Sequence, residues 1–411
     1  MTLASSPPQR VVIIGAGHAG GSVAAQLRQD GFAGAITLIG EEPVVPYQRP
    51  PLSKAWLAGT SSLDHVILRP QEWYHDNDVD LRLDTCVAAI DRVAKRVTLH
   101  DGEAVGYDAL VIATGARPRV LGLPGEDLAG VLSLRSLADA EALKAAMVPG
   151  KTIVLIGAGY IGLEVAATAR KAGLKTIIVE REMRSAARVA SETMSNFLER
   201  YHGDHGVEFI FNAAAKGFSG SGSVSAVELA DGRVLDCDLV LVGAGVVPND
   251  ELAREAGLEC SNGVNVDGEA RTSDPAIFAV GDVSFRPLEL YNTNFRLESV
   301  PNALEQARCV AHVLTGKPPH APEVPWFWSD QYDLKIQLAG LPLDATSQLV
   351  RGDPATGKFA VFHLQGNVVR AVEAVNAPPE FMFGRKLIAA GTRVDLERLG
   401  DTSQSMKDVV L

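Results

Sequence analysis

The chain has 411 residues, a length that suggests two or three domains with ample core. Its 46% hydrophobic and 21% charged residues are ordinary for a folded globular protein, and its formal net charge of −12 argues against general nucleic-acid affinity, which needs a basic face for phosphate. No apolar run reaches membrane-spanning length, and the N-terminal residues lack the charged start and apolar core of a signal peptide, so the expectation is no membrane association and a cytoplasmic location.

The first predicted element is the apolar strand Val11-Val12-Ile13-Ile14, which closes on Gly15-Ala16-Gly17-His18-Ala19-Gly20 and opens an Ala-rich helix. A second strand, Ala35-Ile36-Thr37-Leu38-Ile39, ends in Gly40-Glu41. This is a dinucleotide-binding strand–helix–strand unit. Gly15 permits the tight turn, Gly17 lets the backbone approach a pyrophosphate with no Cβ in the way, and Gly20 lets helix and strand pack closely. The pyrophosphate then sits on unpaired N–H groups at the positive end of the helix, and the acid takes the adenosine ribose hydroxyls. An apolar strand, Ala109-Leu110-Val111-Ile112-Ala113, closes this region on Thr114-Gly115.

The same phrases then recur. Ile153-Val154-Leu155-Ile156 leads into Gly157-Ala158-Gly159-Tyr160-Ile161-Gly162, and Lys175-Thr176-Ile177-Ile178-Val179 ends in Glu180. The closing strand Leu239-Val240-Leu241-Val242 ends in Gly243-Ala244-Gly245. A lone glycine fingerprint is weak, but two copies, each in strand–turn–helix context with its acid in place, predict two bound dinucleotides and electron transfer between them. The stretch Phe218-Ser219-Gly220-Ser221-Gly222-Ser223 reads as a hairpin loop, and Ile277-Phe278-Ala279-Val280-Gly281-Asp282 as a short strand delivering an aspartate at its end. From about Pro322 the texture alternates apolar and polar residues, as in Leu334-Lys335-Ile336-Gln337-Leu338, and turns helical from Pro379 to Ala390. The fold class is therefore α/β, with two Rossmann-like dinucleotide-binding domains and a C-terminal α+β domain. Cys86, Cys237, Cys260 and Cys309 offer no CxxC or CxxxxC pair, which excludes a local redox disulfide and the familiar zinc or iron–sulfur ligand sets; they read as buried small hydrophobes.

These phrases together resemble the FAD- and NADH-dependent ferredoxin reductases of bacterial oxygenase systems and, more distantly, glutathione reductase and apoptosis-inducing factor. Arg49-Pro50-Pro51-Leu52-Ser53-Lys54 is similar to that family's flavin-contacting loop, and Glu298-Ser299-Val300-Pro301-Asn302-Ala303 and Trp326-Phe327-Trp328-Ser329-Asp330-Gln331-Tyr332 to its flavin-face and C-terminal signatures. The resemblance implies a discontinuous FAD domain over 1–115 and 246–325, an NADH domain over 116–245 and a C-terminal domain over 326–411. It implies FAD on Gly15, Ala16, Gly17 and Gly20, with Glu41 on the ribose. Arg49, Lys54, Val87, Thr114, Gly115, Arg135, Gly281, Asp282 and Val300 match further flavin-nucleotide contacts. NADH is implied on Gly157, Gly159, Tyr160, Ile161, Gly162, Gly243 and Gly245, and Glu180 favours NADH because a carboxylate repels a 2′-phosphate. Arg181 and Arg184 keep NADPH open as an alternative.

The catalytic residues that the resemblance implies are Lys54, Glu164, Tyr160 and Trp328. Lys54 and Glu164 form an ion pair beside the flavin, Tyr160 shields the flavin until nicotinamide stacks, and Trp328 covers its edge on the partner's side. Without the resemblance, Lys54 reads as a solvated turn residue, Glu164 as a surface helix position, and the two aromatics as packing residues. His18 reads as a spacer. The implied partner is a [2Fe–2S] ferredoxin that feeds a cytochrome P450 or a ring-hydroxylating oxygenase, docked by local basic residues such as Arg308, Lys335 and Lys386 on a monomer or weak homodimer. A reductase of small acceptors (a quinone, a radical or oxygen) and a redox-switch binding protein remain alternatives, and a disulfide reductase lacks its cysteine pair.

Overall fold

The computed structural model describes residues 8–411, so the first seven residues of the expected FAD domain lie outside the described residues. The elements that position the site are, in chain order, β1 (Arg10–Ile14), α1 (His18–Gln29), β2 (Ala35–Ile39), β3 (Val79–Arg82), β4 (Ala109–Ile112), β5 (Thr152–Ile156), α2 (Tyr160–Lys171), β6 (Lys175–Val179), α3 (Glu192–Asp204), β7 (Val207–Ile210), β8 (Leu239–Val242), β9 (Ile277–Ala279), α4 (Val300–Thr315), β10 (Trp326–Gln331), β11 (Leu334–Gly340), β12 (Ser347–Asp353), β13 (Lys358–Gln365), β14 (Val368–Val375) and α5 (Pro378–Ala390). The chain groups into two compact units. One holds the chain up to Gln48 with Leu63–Arg117 and Val247–Pro325; the other holds Arg49–Ser62, Pro118–Val246 and Trp326–Leu411. The segment Arg49–Ser62, expected within the first domain, thus packs with the second fingerprint and the C-terminal region.

In the first unit the strands form a parallel sheet in the order β9-β4-β1-β2-β3. Ile14 sits opposite both Ile39 and Ile112, and Ala279 opposite Ile112, so the turns after β1, β2, β4 and β9 emerge at one carboxyl edge. β1 and β4 are apolar on both faces because helices and loops cover both sides of a parallel sheet. Phe278 and Ile277 on β9, with Ala307, Val310 and Ala311 on α4, extend this core with residues from late in the chain.

The second unit repeats the plan. Its parallel sheet runs β7-β6-β5-β8, with the short strand Val131–Leu132 at the edge, and Ile156 sits opposite Val179 and Val242. The C-terminal region forms an antiparallel sheet, β10-β11-β14-β13-β12, followed by α5. Helix α2 is buried from Gly162 to Ala169 without a break, as a helix packed on more than one side must be. Leu163 and Val165 of α2 and Leu198 of α3 share one core with Ile153 and Leu155 below and Ile336, Phe359 and Val361 of the C-terminal sheet.

The Gly/Ser-rich stretch departs from the loop expectation. It is strand: Ala215–Ser221 pairs with Ser223–Leu229, and only Gly222, at φ +80°, makes the turn. A Cβ on Gly220 would stand 1.9 Å from the Ser223 carbonyl oxygen, so the glycine there serves close strand approach at a bulge rather than looseness.

Candidate cofactor and electron-transfer site

Each fingerprint is built as its glycines require. In the first unit Gly15 has φ +107°, and a Cβ there would lie 2.2 Å from the Ala113 carbonyl oxygen; a Cβ on Gly20 would lie 1.9 Å from the Gly15 carbonyl oxygen. Gly17 is the N-cap of α1 and offers no side-chain cap, whereas the helix Leu137–Ala146, α3 and α4 are capped by Ser136, Ser191 and Ser299. The leading N–H groups of α1 are therefore left for a ligand anion. Glu41 is exposed at the carboxyl edge. Thr114 donates its hydroxyl to the Asn249 carbonyl at 2.7 Å while the Asn249 amide donates to the Thr114 carbonyl at 2.9 Å, which fixes the Thr114-Gly115 turn. Gly281 has φ +75°, lies against Ala19 of α1, and donates its N–H to Gln306 at 2.8 Å, so Asp282 stands by the same glycine loop. Val87 opens the strand Val87–Asp91, half-buried, and Val300 is the first residue of α4. Arg49, Lys54 and Arg135 belong to the other unit, where Arg49 donates to the Arg135 carbonyl. The features of the first unit fit the pyrophosphate and ribose of a dinucleotide.

The second fingerprint has the same form. Gly157 has φ +108° with its virtual Cβ 2.5 Å from the Gly243 carbonyl oxygen, and a Cβ on Gly162 would lie 2.5 Å from the Gly157 carbonyl oxygen. A Cβ on Gly159 would meet nothing within 4 Å, so its glycine leaves room for something other than protein. Gly159 caps α2 with no side-chain bond, and Ile161 is half exposed in the first turn. Glu180 accepts from the Ala158 N–H at 2.7 Å and the Glu182 N–H at 2.9 Å, which holds its carboxylate inward at the glycine loop. Arg184 spends its guanidinium on the Ala187 and Ala190 carbonyls and the Ser195 hydroxyl, and Arg181 pairs with Glu182 at 3.3 Å on the surface. Gly245, at φ +88°, completes the closing turn beside Arg188, whose Nη2 would stand 3.7 Å from a Cβ there. Arg188 escapes sequence reasoning because nothing in its spacing ties it to Gly245.

Lys54 and Glu164 meet. The Lys54 ammonium lies 2.8 Å from Glu164 Oε1, and the side chains are only 18% and 5% exposed, so neither is the solvated residue that composition alone suggests. Ser53 donates its hydroxyl to Glu164 Oε2, and Ser329 donates to Oε1 at 2.6 Å. Thr168, one turn further along α2, donates to the Ser53 carbonyl at 3.0 Å and fastens the Arg49–Lys54 loop to the helix. A buried carboxylate with a cation and two hydroxyl donors is fully satisfied.

Strand alternation sorts the C-terminal signature. Phe327, Ser329 and Gln331 face α2, while Trp326, Trp328 and Asp330 face the other way. Phe327 packs edge-on against Tyr160, ring centroids 5.2 Å apart. Burial, then the charge of Glu373, holds the Tyr160 phenol well above the usual tyrosine range. Trp328 lies 5.7 Å from Trp326, which packs on Phe381 and under the Arg385 guanidinium. Of the basic docking candidates, Arg308 is paired with Glu323 at 2.5 Å, while Lys335 and Lys386 are exposed. The four cysteines are free; Cys237 and Cys309 are buried, but Cys86 and Cys260 are only half-buried, Cys86 just before the short edge strand Val87–Asp91 and Cys260 at the start of the two-residue edge strand Cys260–Ser261.

Residues 9–307 match the family described as Pyridine nucleotide-disulphide oxidoreductase, and residues 326–410 match the domain described as Reductase C-terminal. The chain belongs to the pyridine nucleotide-disulphide oxidoreductases. Within that family it is 51% identical over 395 residues to a probable ferredoxin reductase of Castellaniella defragrans, covering 96% of this chain and 97% of the relative. It is 42% identical to the putidaredoxin reductase of Pseudomonas putida over 97% of this chain and 96% of that one. Among solved structures, the putidaredoxin reductase–putidaredoxin complex matches with a TM-score of 0.96 at 41% identity, covering 98% of both chains. Ferredoxin reductases of this family use FAD and NAD(H), and the residues above fit both.

Proposed function

We propose that the protein is an NADH-dependent ferredoxin reductase that carries electrons through FAD, one at a time, to a [2Fe–2S] ferredoxin serving a cytochrome P450 or ring-hydroxylating oxygenase in the cytoplasm. The observation that carries this reading is the pairing of two complete dinucleotide fingerprints with the buried Lys54–Glu164 ion pair in a chain without a cysteine pair. FAD, when bound, supplies the exchange between a two-electron donor and a one-electron acceptor. Gly15, Gly17, Gly20, Glu41, Thr114 and Asp282 are the residues of the first unit that would hold it.

Glu180 is the residue that would orient the adenosine ribose of NADH, and Arg184 spends its guanidinium on the Ala187 and Ala190 carbonyls and the Ser195 hydroxyl rather than offering it to a 2′-phosphate. Lys54, held by Glu164, is the residue that would supply a fixed positive charge to a reduced flavin. Tyr160 and Phe327, packed edge-on, are the residues that would shield the nicotinamide from water, and Trp328 the one that would offer its face to the ferredoxin. The test is anaerobic stopped-flow of the FAD-loaded protein, with NADH or NADPH as donor and a panel of [2Fe–2S] ferredoxins as acceptors. Fast bleaching by NADH and fast iron–sulfur reduction are expected. Fast bleaching with no ferredoxin reduced moves the assignment to a reductase of small acceptors, and slow reduction with a long-lived charge-transfer band moves it to a redox-switch binding protein.

A further inference from the structure

Glu164 does not stand alone with Lys54. Behind it runs a row of buried polar side chains that the hydride and electron transfers do not themselves use. Ser329 Oγ reaches Glu164 Oε1 at 2.6 Å, Gln331 Nε2 reaches Ser329 Oγ at 3.0 Å, and Gln331 Oε1 lies 2.8 Å from His202 Nε2. Ser329, Gln331 and His202 are all 1% exposed or less. Three elements supply them: α2 carries Glu164, β10 turns Ser329 and Gln331 inward by its two-residue period, and the last turn of α3 carries His202. Buried polar groups are costly unless hydrogen-bonded, and a fully bonded row of them rigidifies the core it crosses.

The direction of the row follows from its ends. Glu164 can only accept, so the Ser329 proton points to it, and Ser329 in turn must accept, which takes the NH2 end of the Gln331 amide. The Gln331 oxygen then faces His202 and takes the Nε2 proton. Burial pushes the imidazole down to about 4, so at neutral pH it carries a single proton. The opposite amide orientation would strand that proton on Nδ1, which is buried with no partner among the described residues, and an orphaned N–H is rarer than an orphaned lone pair. Every donor therefore points toward the oxygen that also holds Lys54.

We propose that Ser329, Gln331 and His202 form a directional hydrogen-bond relay whose task is to position Glu164, and through it the Lys54 ammonium, for the reaction. They are positioning residues, and the proposal rests on the functional reading given above for the Lys54–Glu164 pair. The relay lets the C-terminal sheet set the placement of a cation that belongs to the flavin loop.

The test uses Ser329→Ala, Gln331→Met and Gln331→Glu, the last of which keeps the shape but replaces the donor with an acceptor that draws the Ser329 proton off Glu164. Glu164→Gln is the reference variant. Two quantities are measured: the rate of chemical acylation of the Lys54 amine, followed by mass spectrometry on apoprotein and FAD-loaded protein, and the split of kcat and KM for NADH oxidation. One charge-assisted hydrogen bond corresponds to about tenfold, so each relay variant is expected to raise Lys54 labelling by about threefold to tenfold and to lower kcat with KM for NADH unchanged. In the Glu164→Gln background, Ser329→Ala is expected to add nothing, because it acts through that carboxylate. Unchanged labelling in all three relay variants, while Glu164→Gln raises it, overturns the relay. Raised labelling in the relay variants and in Glu164→Gln, with kcat untouched in all, supports the positioning but overturns the functional reading of the ion pair.

Discussion

The two glycines of the second fingerprint separate folding from binding, and alanine at each gives opposite results. At Gly159 the backbone has φ −74° and ψ 173°, ordinary for alanine, and the new Cβ meets no protein atom within 4 Å. Two small terms then compete. Loss of unfolded-state freedom stabilises by about 0.4–1 kcal/mol, and alanine as an N-cap is worse than glycine by roughly 0.5–1 kcal/mol. The net change in stability is near zero. The methyl group, however, occupies the space that a pyrophosphate must enter to reach the α2 N–H groups, each worth about 1.5–3 kcal/mol to a charged acceptor. KM for NADH should rise by about 10- to 100-fold, with urea unfolding of the same protein unshifted. At Gly157 the outcome reverses. A φ of +108° and a carbonyl oxygen 2.5 Å from the new Cβ make Gly157→Ala a folding defect, of about 3 kcal/mol or more. Denaturant unfolding and NADH saturation curves of the two variants decide the matter. A loss of 2 kcal/mol in Gly159→Ala with unchanged KM would refute the reasoning, since the open space would then belong to the fold.

Other consequences are testable alongside. Glu180→Ala should raise KM for NADH about tenfold, the worth of one charged hydrogen bond, and narrow the preference over NADPH; an unchanged ratio of the two nucleotides removes Glu180 from the specificity argument. His202 is held at about 4 in the folded protein by burial, so the unfolded chain takes its proton first; stability is complete above about pH 6.5 and is lost as pH falls toward 4, by about 2 kcal/mol between pH 7 and pH 5. Denaturant midpoints across that window should therefore slope, and the slope should flatten in His202→Asn. Trp328→Ala should slow ferredoxin reduction about tenfold or more, the usual cost of truncating a tryptophan at an interface, while leaving flavin bleaching by NADH in place; equal losses in both half-reactions would place Trp328 elsewhere in the cycle.

The glycine fingerprints, their acids and the closing turns were legible because each is a local pattern whose residue types answer a local steric demand. The pairing of Ile14 with Ile112, or of Ile156 with Val242, follows from the same repeated phrases. Lys54 and Glu164 were legible only through resemblance, since no spacing brings a loop lysine to a helix glutamate so far along the chain. Ser53, Ser329 and Gln331 lie inside the quoted signatures but carried no role there, and His202 none anywhere, because their importance appears only when the fold brings them, from a loop, a strand and a helix, to a buried carboxylate. One signal was available. The signature after Trp326 places Ser329 and Gln331 on the same side as Phe327, polar residues where an inward face wants apolar ones. The Ala215–Ser221 strand was hidden because glycine and serine are poor strand formers alone, and pairing with Val224, Val227 and Leu229 overrides that preference.

Helix α2 has a consequence for how such reductases can be recombined. One side of it closes the nucleotide-binding sheet and the other is sealed by β10, so it has no face that tolerates water between Gly162 and Ala169. A chimaera that joins the C-terminal sheet of one relative to the dinucleotide domains of another must carry matching α2 and β10 partners, Tyr160 with Phe327 and Glu164 with Ser329, as a single inherited block. Exchange at the chain boundary near Pro325, which looks like a natural seam in the sequence, would cut through the helix's second interface and take from Glu164 its Ser329 donor, leaving it Lys54 and Ser53 alone.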